Sequence, residues 1–161
     1  SSITPDILYQ LVLILTHAHD YAKESVSVLL VALQAVLRST IQSNSSESFT
    51  GEETRSALKA FSRLLGNIAH GDKRSVIVPH AHHILQSCIL AIDHSNNNSS
   101  NSNKKKISVS ELLTPGVCSL LSMCSDPQIK RVYFCASSRG KELLNKYRDV
   151  FMREYQFKGK I

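Results

Sequence analysis

The residues best suited to chemistry lie in one stretch, "RSVIVPHAHH", which runs from Arg74 to His83 and places three histidines within four positions. Clustered imidazoles can bind a metal ion, transfer protons or take part in RNA cleavage. Each of these activities needs further residues at set positions around the histidines. Whether the histidines are chemically active or only structural therefore depends on the neighbouring residues and on the helices that carry them.

A metal site is the first possibility. His80 and His83 are one helical turn apart, a spacing that can place two imidazoles on one metal ion, and His17 with His19 could add another ligand. However, no H-E-x-x-H motif occurs and no carboxylate lies within the cluster. We therefore expect structural or surface histidines and no metal site.

RNA cleavage is the second possibility. Arg74 and His80 fit an arginine, five residues and a histidine, which resembles the R-x(4–6)-H motif of the all-helical HEPN ribonucleases. That resemblance implies histidine as a general acid or base and arginine as a stabiliser of phosphate charge. Pro79 interrupts what should be a continuous helix between them. The ribonuclease stays an alternative, and we predict no catalytic residue, cofactor or small-molecule substrate.

Composition favours a single soluble, intracellular domain over residues 1–161, because 42% of the residues are hydrophobic and no window approaches the roughly 18 consecutive apolar residues of a membrane span. The chain begins without methionine, so we expect a fragment of a longer protein. No C-x-x-C pair occurs, which predicts buried free thiols on apolar helical faces. The four cysteines are Cys88, Cys118, Cys124 and Cys135.

The apolar residues recur at intervals of three and four along the chain, a pattern that predicts an all-α, multi-helix bundle. Two strongly apolar helices are expected over about 4–19 and 21–42, and both need a central place in the bundle. After a polar loop, a helix with Leu58, Phe61 and Leu65 on its buried stripe is predicted to end near Gly71.

The second half of the chain has three proline-marked helix starts in its sequence. We predict helices that begin at Pro79, at Thr114-Pro115 and at Asp126-Pro127. The polar, low-complexity residues 94–106 are predicted to form a flexible loop. The last helix, from Gly140, should bury one apolar stripe with aromatic members and leave basic residues on its remaining surface.

The positive charge lies at the carboxyl end. Nine basic and three acidic residues occur from Gln128 to Ile161, which accounts for the whole formal net charge of +6. Such an end suggests a polyanionic partner, RNA or an acidic protein, although a solvated helical face is the simpler interpretation. The candidate binding residues are Lys141, Lys146, Arg148, Arg153, Lys158 and Lys160.

The order of these features resembles the carboxyl end of the unhealthy ribosome biogenesis protein 2 family. The resemblance starts near Ala57 and includes "FSRLLGNIAHG" and "HAHHILQSCI", in which His80-Ala81 matches the family and His82 and His83 do not. It continues in a Thr-Pro-Gly element before Leu-Leu, then a small-residue turn at Gly140 and a long Leu- and Tyr-rich helix with an aromatic–Lys–Gly–Lys tail. Val150-Phe151 departs from the acidic residue and tyrosine that we would expect.

The resemblance implies the terminal module of a helical-repeat (α-solenoid) scaffold that acts without catalysis in the nucleus, in the nucleolar assembly of early large-subunit precursors and in pre-rRNA processing. Its partners would be ribosome assembly factor proteins and pre-rRNA. Neither a membrane nor a small molecule would be involved. The other alternative is a generic helical-repeat adaptor of the cytosol.

Overall fold

The computed structural model describes residues 31, 34, 35, 37, 38, 51–71, 74–97 and 108–154. All five described positions from 31 to 38 are helical, and Leu37 is buried in the core. The helices that follow are α1 (Gly51–His70), α2 (Arg74–Ile77), α3 (Ala81–Asn97), α4 (Val109–Met123), α5 (Asp126–Cys135) and α6 (Ser138–Glu154). No strand occurs within the described ranges, so the all-α prediction is confirmed there.

Helix α1 buries the predicted stripe. Leu58, Phe61 and Leu65 are almost fully inaccessible, and Ile68 lies on the same side one turn further on. The helix ends at His70, whose Nδ1 lies 2.9 Å from the Gly66 carbonyl oxygen, within the last turn. A Cβ at Gly71 would lie 2.8 Å from the Asn67 carbonyl oxygen, so the chain needs glycine where it leaves the helix.

Helix α4 is the centre of the described fold, because it packs against α1, α3 and α6. Its residues from Gly116 to Leu121 are all buried, which a helix achieves only when neighbours cover it on several sides. Helix α5 lies outside this layer and packs against α3 and α6. One hydrophobic cluster joins side chains of all these helices and includes Leu37.

Pro115 lies inside α4, so the predicted helix start at Thr114-Pro115 is wrong. The helix begins at Val109, six residues earlier, and continues through the proline. Thr114 Oγ1 donates to the Ser110 carbonyl one turn back rather than capping a new helix. The Gly116 N–H donates to Ser62 Oγ of α1 at 2.7 Å, so a contact with a neighbouring helix satisfies a backbone group beside the proline.

The predicted start at Pro79 also needs correction, because the chain is already helical from Arg74. Val78–His80 form a 3₁₀ turn between α2 and α3, which accommodates the missing N–H of the proline. Helix α3 then runs to Asn97, past His94, where the polar loop was predicted to begin. The rest of that loop lies outside the described residues, as do nearly all of the two amino-terminal helices.

The start at Asp126-Pro127 is confirmed, with Ser125 as the residue before the helix. Gln128 Oε1 accepts from the Ser125 N–H at 2.8 Å, the reciprocal half of a capping box. The last helix begins at Ser138, two residues before the predicted Gly140. A Cβ on Gly140 would lie 3.1 Å from Ala136 Cβ and 3.3 Å from Ile89 Cγ2 of α3, which explains the small residue.

The segment Arg74–Asn96 has a window with mean hydropathy 1.3, so by length and composition it is apolar enough to cross a membrane. In this fold, several of its apolar side chains pack in the core of the protein. Ile84, Leu85, Cys88 and Ile92 are fully buried in the core formed with α4, α5 and α6. Packing within the protein therefore uses these four apolar side chains, and 44% of the apolar window is buried.

Candidate functional site

The histidine cluster lies at the start of α3. The rings of His82 and His83 are 4.0 Å apart between centroids, and those of His80 and His83 are 6.5 Å apart and stacked. No group of three metal-binding side chains occurs in the part of the chain that the structure describes. His17 and His19 lie outside that part.

His82 has a structural contact that the sequence interpretation missed. Its Nδ1 lies 3.3 Å from Gln128 Nε2 of α5, and the same amide nitrogen donates to the Val78 and Pro79 carbonyls at 3.0 and 3.2 Å. Burial lowers the pKa of His82 below its ordinary value, and the neighbouring His83, Arg131 and His80 lower it further. His82 is therefore a structural histidine that contributes to the α3–α5 contact.

Arg74 and His80, the residues of the ribonuclease alternative, have different partners. The Arg74 guanidinium donates to the Ser122 carbonyl at 2.9 Å, near the carboxyl end of α4. His80 is half-buried and stacks on His83. The structure thus provides a structural contact for each side chain separately.

The cysteines divide by burial. Burial raises the pKa of the Cys88 thiol to about 12, that of Cys124 to about 12 and that of Cys118 to about 11, where Glu154 adds to the effect. These thiols are protonated at neutral pH and are poor nucleophiles. Cys135 is exposed, so the prediction of a buried thiol is wrong there, because its side of α5 is left uncovered.

A shallow groove separates α3 from the junction of α5 and α6. Its lining includes Ile89, Leu90, Val132 and Gly140. It encloses about 10 Å³, space for about one water molecule, whereas small-molecule pockets usually measure roughly 300–1,000 Å³. This groove is too small to bind a metabolite.

The basic residues predicted on α6 lie on both flanks of its buried stripe. Leu144 and Tyr147 are buried, as predicted, and Leu143 and Phe151 pack partly against the core. Lys146, Arg148 and Arg153 are exposed, whereas Lys141 is half-buried. Helical spacing puts Lys146 with Arg153 on one flank and Lys141 with Arg148 on the other. Lys158 and Lys160, like Tyr155 of the predicted stripe, lie outside the described residues.

Carboxylates interrupt the flank that carries Lys146 and Arg153. Glu142 is four residues before Lys146, and Asp149 is four residues before Arg153, the order that favours ion pairs along a helix. On the other flank, Lys141 Nζ lies 5.4 Å from the centroid of the Tyr133 ring of α5, in cation–π geometry. The positive surface of α6 is therefore discontinuous.

Tyr147 fixes α6 against α4 through a buried hydrogen-bonded pair. Its hydroxyl lies 2.7 Å from Ser110 Oγ and donates to the Ser110 carbonyl at 3.1 Å. Burial raises the pKa of Tyr147 to about 12, so the hydroxyl is neutral. The orientation of the basic flanks follows from this anchor on the central helix.

Two further basic surfaces were missing from the predicted site. On α1, Arg55, Lys59 and Arg63 are all exposed at intervals of four, which places them on one side of the helix. On α5, Lys130 and Arg131 flank Phe134, whose side chain is 78% exposed. The three-and-four spacing of "KRVYF" contained the signal for the second surface, but an aromatic residue in a predicted helix is normally assigned to the core.

No protein-family model, curated protein or solved structure matches the chain in the comparisons with known proteins.

Proposed function

We propose that the chain is a non-catalytic scaffold module of the nucleolus that acts in the early assembly of the large ribosomal subunit and in pre-rRNA processing. It would form the carboxyl-terminal end of a helical-repeat protein and bind assembly-factor proteins and pre-rRNA. The proposal combines the order of family-like elements from Ala57 onward with the charge of the carboxyl end.

The observation that carries the RNA part is the solvent exposure of Lys146, Arg148 and Arg153 on a helix whose opposite side is anchored in the core. Exposed lysine and arginine side chains on a rigid helix can contact phosphates without reorganising the fold. The all-helical packing around α4 supports the scaffold part, because helical-repeat proteins present surfaces for partners in this way.

RNA binding is tested by changing Lys141, Lys146, Arg148, Arg153, Lys158 and Lys160 to glutamine and titrating RNA at several salt concentrations. We expect weaker binding and a shallower salt dependence, since each lost phosphate contact lowers the log–log slope by about 0.7 for a single strand. Unchanged affinity together with an unchanged slope would contradict RNA binding by this helix.

A matched pair of triple variants separates position from net charge. Lys146, Arg148 and Arg153 changed to glutamine remove three charges from α6, whereas the same change at Arg55, Lys59 and Arg63 removes three from α1. The proposal expects the larger loss for the α6 variant. Equal losses would indicate attraction by net charge without a defined surface.

The ribosomal role is tested in cells with the tagged full-length protein. We expect nucleolar fluorescence and co-sedimentation with precursors of the large subunit in a sucrose gradient, and accumulation of unprocessed pre-rRNA when the protein is depleted. A protein that stays in the cytosol and at the top of the gradient would instead support the adaptor alternative.

A further inference from the structure

The side of α5 that faces away from the core combines one aromatic ring with two cations. Pro127, Lys130, Arg131 and Phe134 are all exposed, and Lys130 and Arg131 each lie three or four residues from both Pro127 and Phe134, which places all four on one side of the helix. The opposite side of the helix carries Val132, which is buried, and Ile129, which packs partly against the core. Phe134 therefore extends from the part of α5 furthest from its neighbours, with a basic residue on each side.

A single exposed apolar side chain is common on protein surfaces and needs no explanation by itself. The surroundings of Phe134 make it informative. Its ring meets the Tyr133 ring edge to face, with centroids 6.3 Å apart, and Lys141 Nζ lies over the Tyr133 ring. Two neighbouring rings and three cations thus occupy one continuous part of the surface formed by α5 and the start of α6.

We propose that this surface, defined by Lys130, Arg131, Tyr133, Phe134 and Lys141, binds single-stranded RNA. The Phe134 ring would stack on an unpaired base, and Lys130 and Arg131 would contact the phosphates on either side of it. Proteins that bind single strands without reading their sequence combine these two kinds of contact. The inference rests on the RNA-binding part of the proposed function and adds the preferred form of RNA, which is unpaired.

Charge and composition favour RNA over a protein partner here. The central parts of protein interfaces are depleted of lysine and enriched in contiguous apolar area. Lys130 and Arg131 flank Phe134 on α5, beside the exposed but uncharged Pro127 and Cys135, and a polyanion complements the two cations. On α1, the aromatic residue between Arg55 and Arg63 is Phe61, and it is buried. The basic surface of α1 therefore offers phosphate contacts but no exposed ring on which a base could stack.

The test uses the whole 161-residue chain and the absence of tryptophan from it. Phe134→Trp keeps an aromatic ring and introduces a fluorophore at the proposed stacking position. We expect a single-stranded RNA of about 12 nucleotides to quench its emission, and a duplex of the same sequence to leave the emission unchanged. Phe134→Ala should bind the single strand about tenfold more weakly and the duplex as the original chain does.

Leu90→Ala is the matched control, because Leu90 is also a large exposed apolar residue but belongs to α3 and lines the groove between α3 and the junction of α5 and α6, outside the proposed surface. It should bind both probes like the original chain. Thermal unfolding followed by circular dichroism should show that Phe134→Ala stays folded, as expected for a side chain in water.

Three results would overturn the inference. If Phe134→Ala binds the single strand normally while the α6 glutamine variants lose affinity, stacking is refuted and RNA binding by α6 stands. If a polyglutamate peptide changes the fluorescence of the Phe134→Trp variant and RNA does not, the surface binds an acidic protein. If the original chain binds no RNA, this inference and the RNA part of the proposed function both fail, whereas the cellular test of the scaffold role is decided separately.

Discussion

His82 is held by the fold in an environment that disfavours its charged form. Burial and three nearby cationic or ionisable side chains, His83, Arg131 and His80, lower its pKa. A hydrogen bond with the Pro79 backbone opposes this shift, but burial and the neighbouring charges outweigh it, so the pKa stays lowered. Protonation of His82 would place a positive charge near Arg131 of α5, which would weaken the α3–α5 contact.

This gives a pH dependence with a defined sign. The folded-state pKa of His82 lies below the ordinary value of 6.5. As the pH falls through that value, the unfolded chain therefore binds more protons than the folded chain does. The contribution of the neutral ring to stability is fully present above about pH 6.5 and is lost progressively below it. We expect the urea midpoint of His82→Gln to fall less between about pH 7.5 and about pH 5.5 than that of the original chain.

His94→Gln removes an imidazole from an exposed position at the other end of α3 and controls for the loss of a histidine as such. Parallel pH profiles for His82→Gln and the original chain would contradict the assignment. The sequence could predict that these histidines lie on a helix but not which of them is structural. That distinction depends on Gln128, which is 46 residues away in the chain.

At the scale of the helices, the contact between α1 and α4 depends on a glycine. A Cβ on Gly116 would lie 2.9 Å from Leu65 Cδ1 and 3.1 Å from Ser62 Cα, and the latter is a backbone atom, so helix α1 itself would have to shift by a few tenths of an ångström. The same close approach allows the Gly116 N–H to reach Ser62 Oγ at 2.7 Å. Two helix backbones therefore pack at a distance that only a small residue permits.

We expect Gly116→Ala to destabilise the protein although alanine is the better helix former. The gain in helix propensity is about 1 kcal/mol, and overpacking costs about 1–3 kcal/mol with the Ser62 hydrogen bond strained in addition. Gly66→Ala is the matched control in α1. Its Cβ would meet only Ser119 Oγ, at an ordinary 3.8 Å, so the free energy of unfolding should rise by about 0.5–1 kcal/mol.

Chemical denaturation of both variants measures this difference. Gains in stability for both would show that α1 and α4 can separate without cost and that the close contact is unimportant. A loss for both would mean that the surroundings of Gly66 are tighter than the structure indicates.

The helices show where sequence patterns suffice and where they fail. The spacing of three and four correctly predicted the stripes of α1 and α6, because burial of one side is a property of each helix alone. Thr114-Pro115 was misassigned because a neighbouring helix satisfies the donor beside the proline, a tertiary effect that no local pattern contains. The exposed face of α5 was missed for the related reason that only the packed structure shows which helix lies outermost.

At the scale of the whole molecule, one continuous core implies cooperative unfolding. Side chains from each of the helices α1 to α6 and from Leu37 belong to the same cluster. Helix α5 packs against α3 and α6, which in turn pack against α4. A change in the centre of α4 should therefore affect α5 through the two helices that connect them, α3 and α6, as expected for a small two-state domain.

Leu113→Ala tests this connection, since Leu113 is fully buried in α4. We expect a loss of about 2–5 kcal/mol in the free energy of unfolding, from the lost apolar contact and the cavity that remains. Tyr133→Trp is introduced both into the original chain and into the Leu113→Ala variant. It places a fluorophore on α5 at a half-buried position and reports on that helix alone. Urea transitions followed by this fluorescence and by helical circular dichroism should coincide and shift together to lower urea.

Asn145→Ala, at an exposed position on α6, should leave both transitions in place. If the fluorescence transition stayed unchanged while the circular dichroism transition moved, α5 would unfold independently of α4. The RNA surface proposed on α5 would then lie on a unit with its own stability. Coincident transitions would instead mean that any mutation in the core also reduces the fraction of molecules competent to bind, so binding data for core variants must be corrected for the folded fraction.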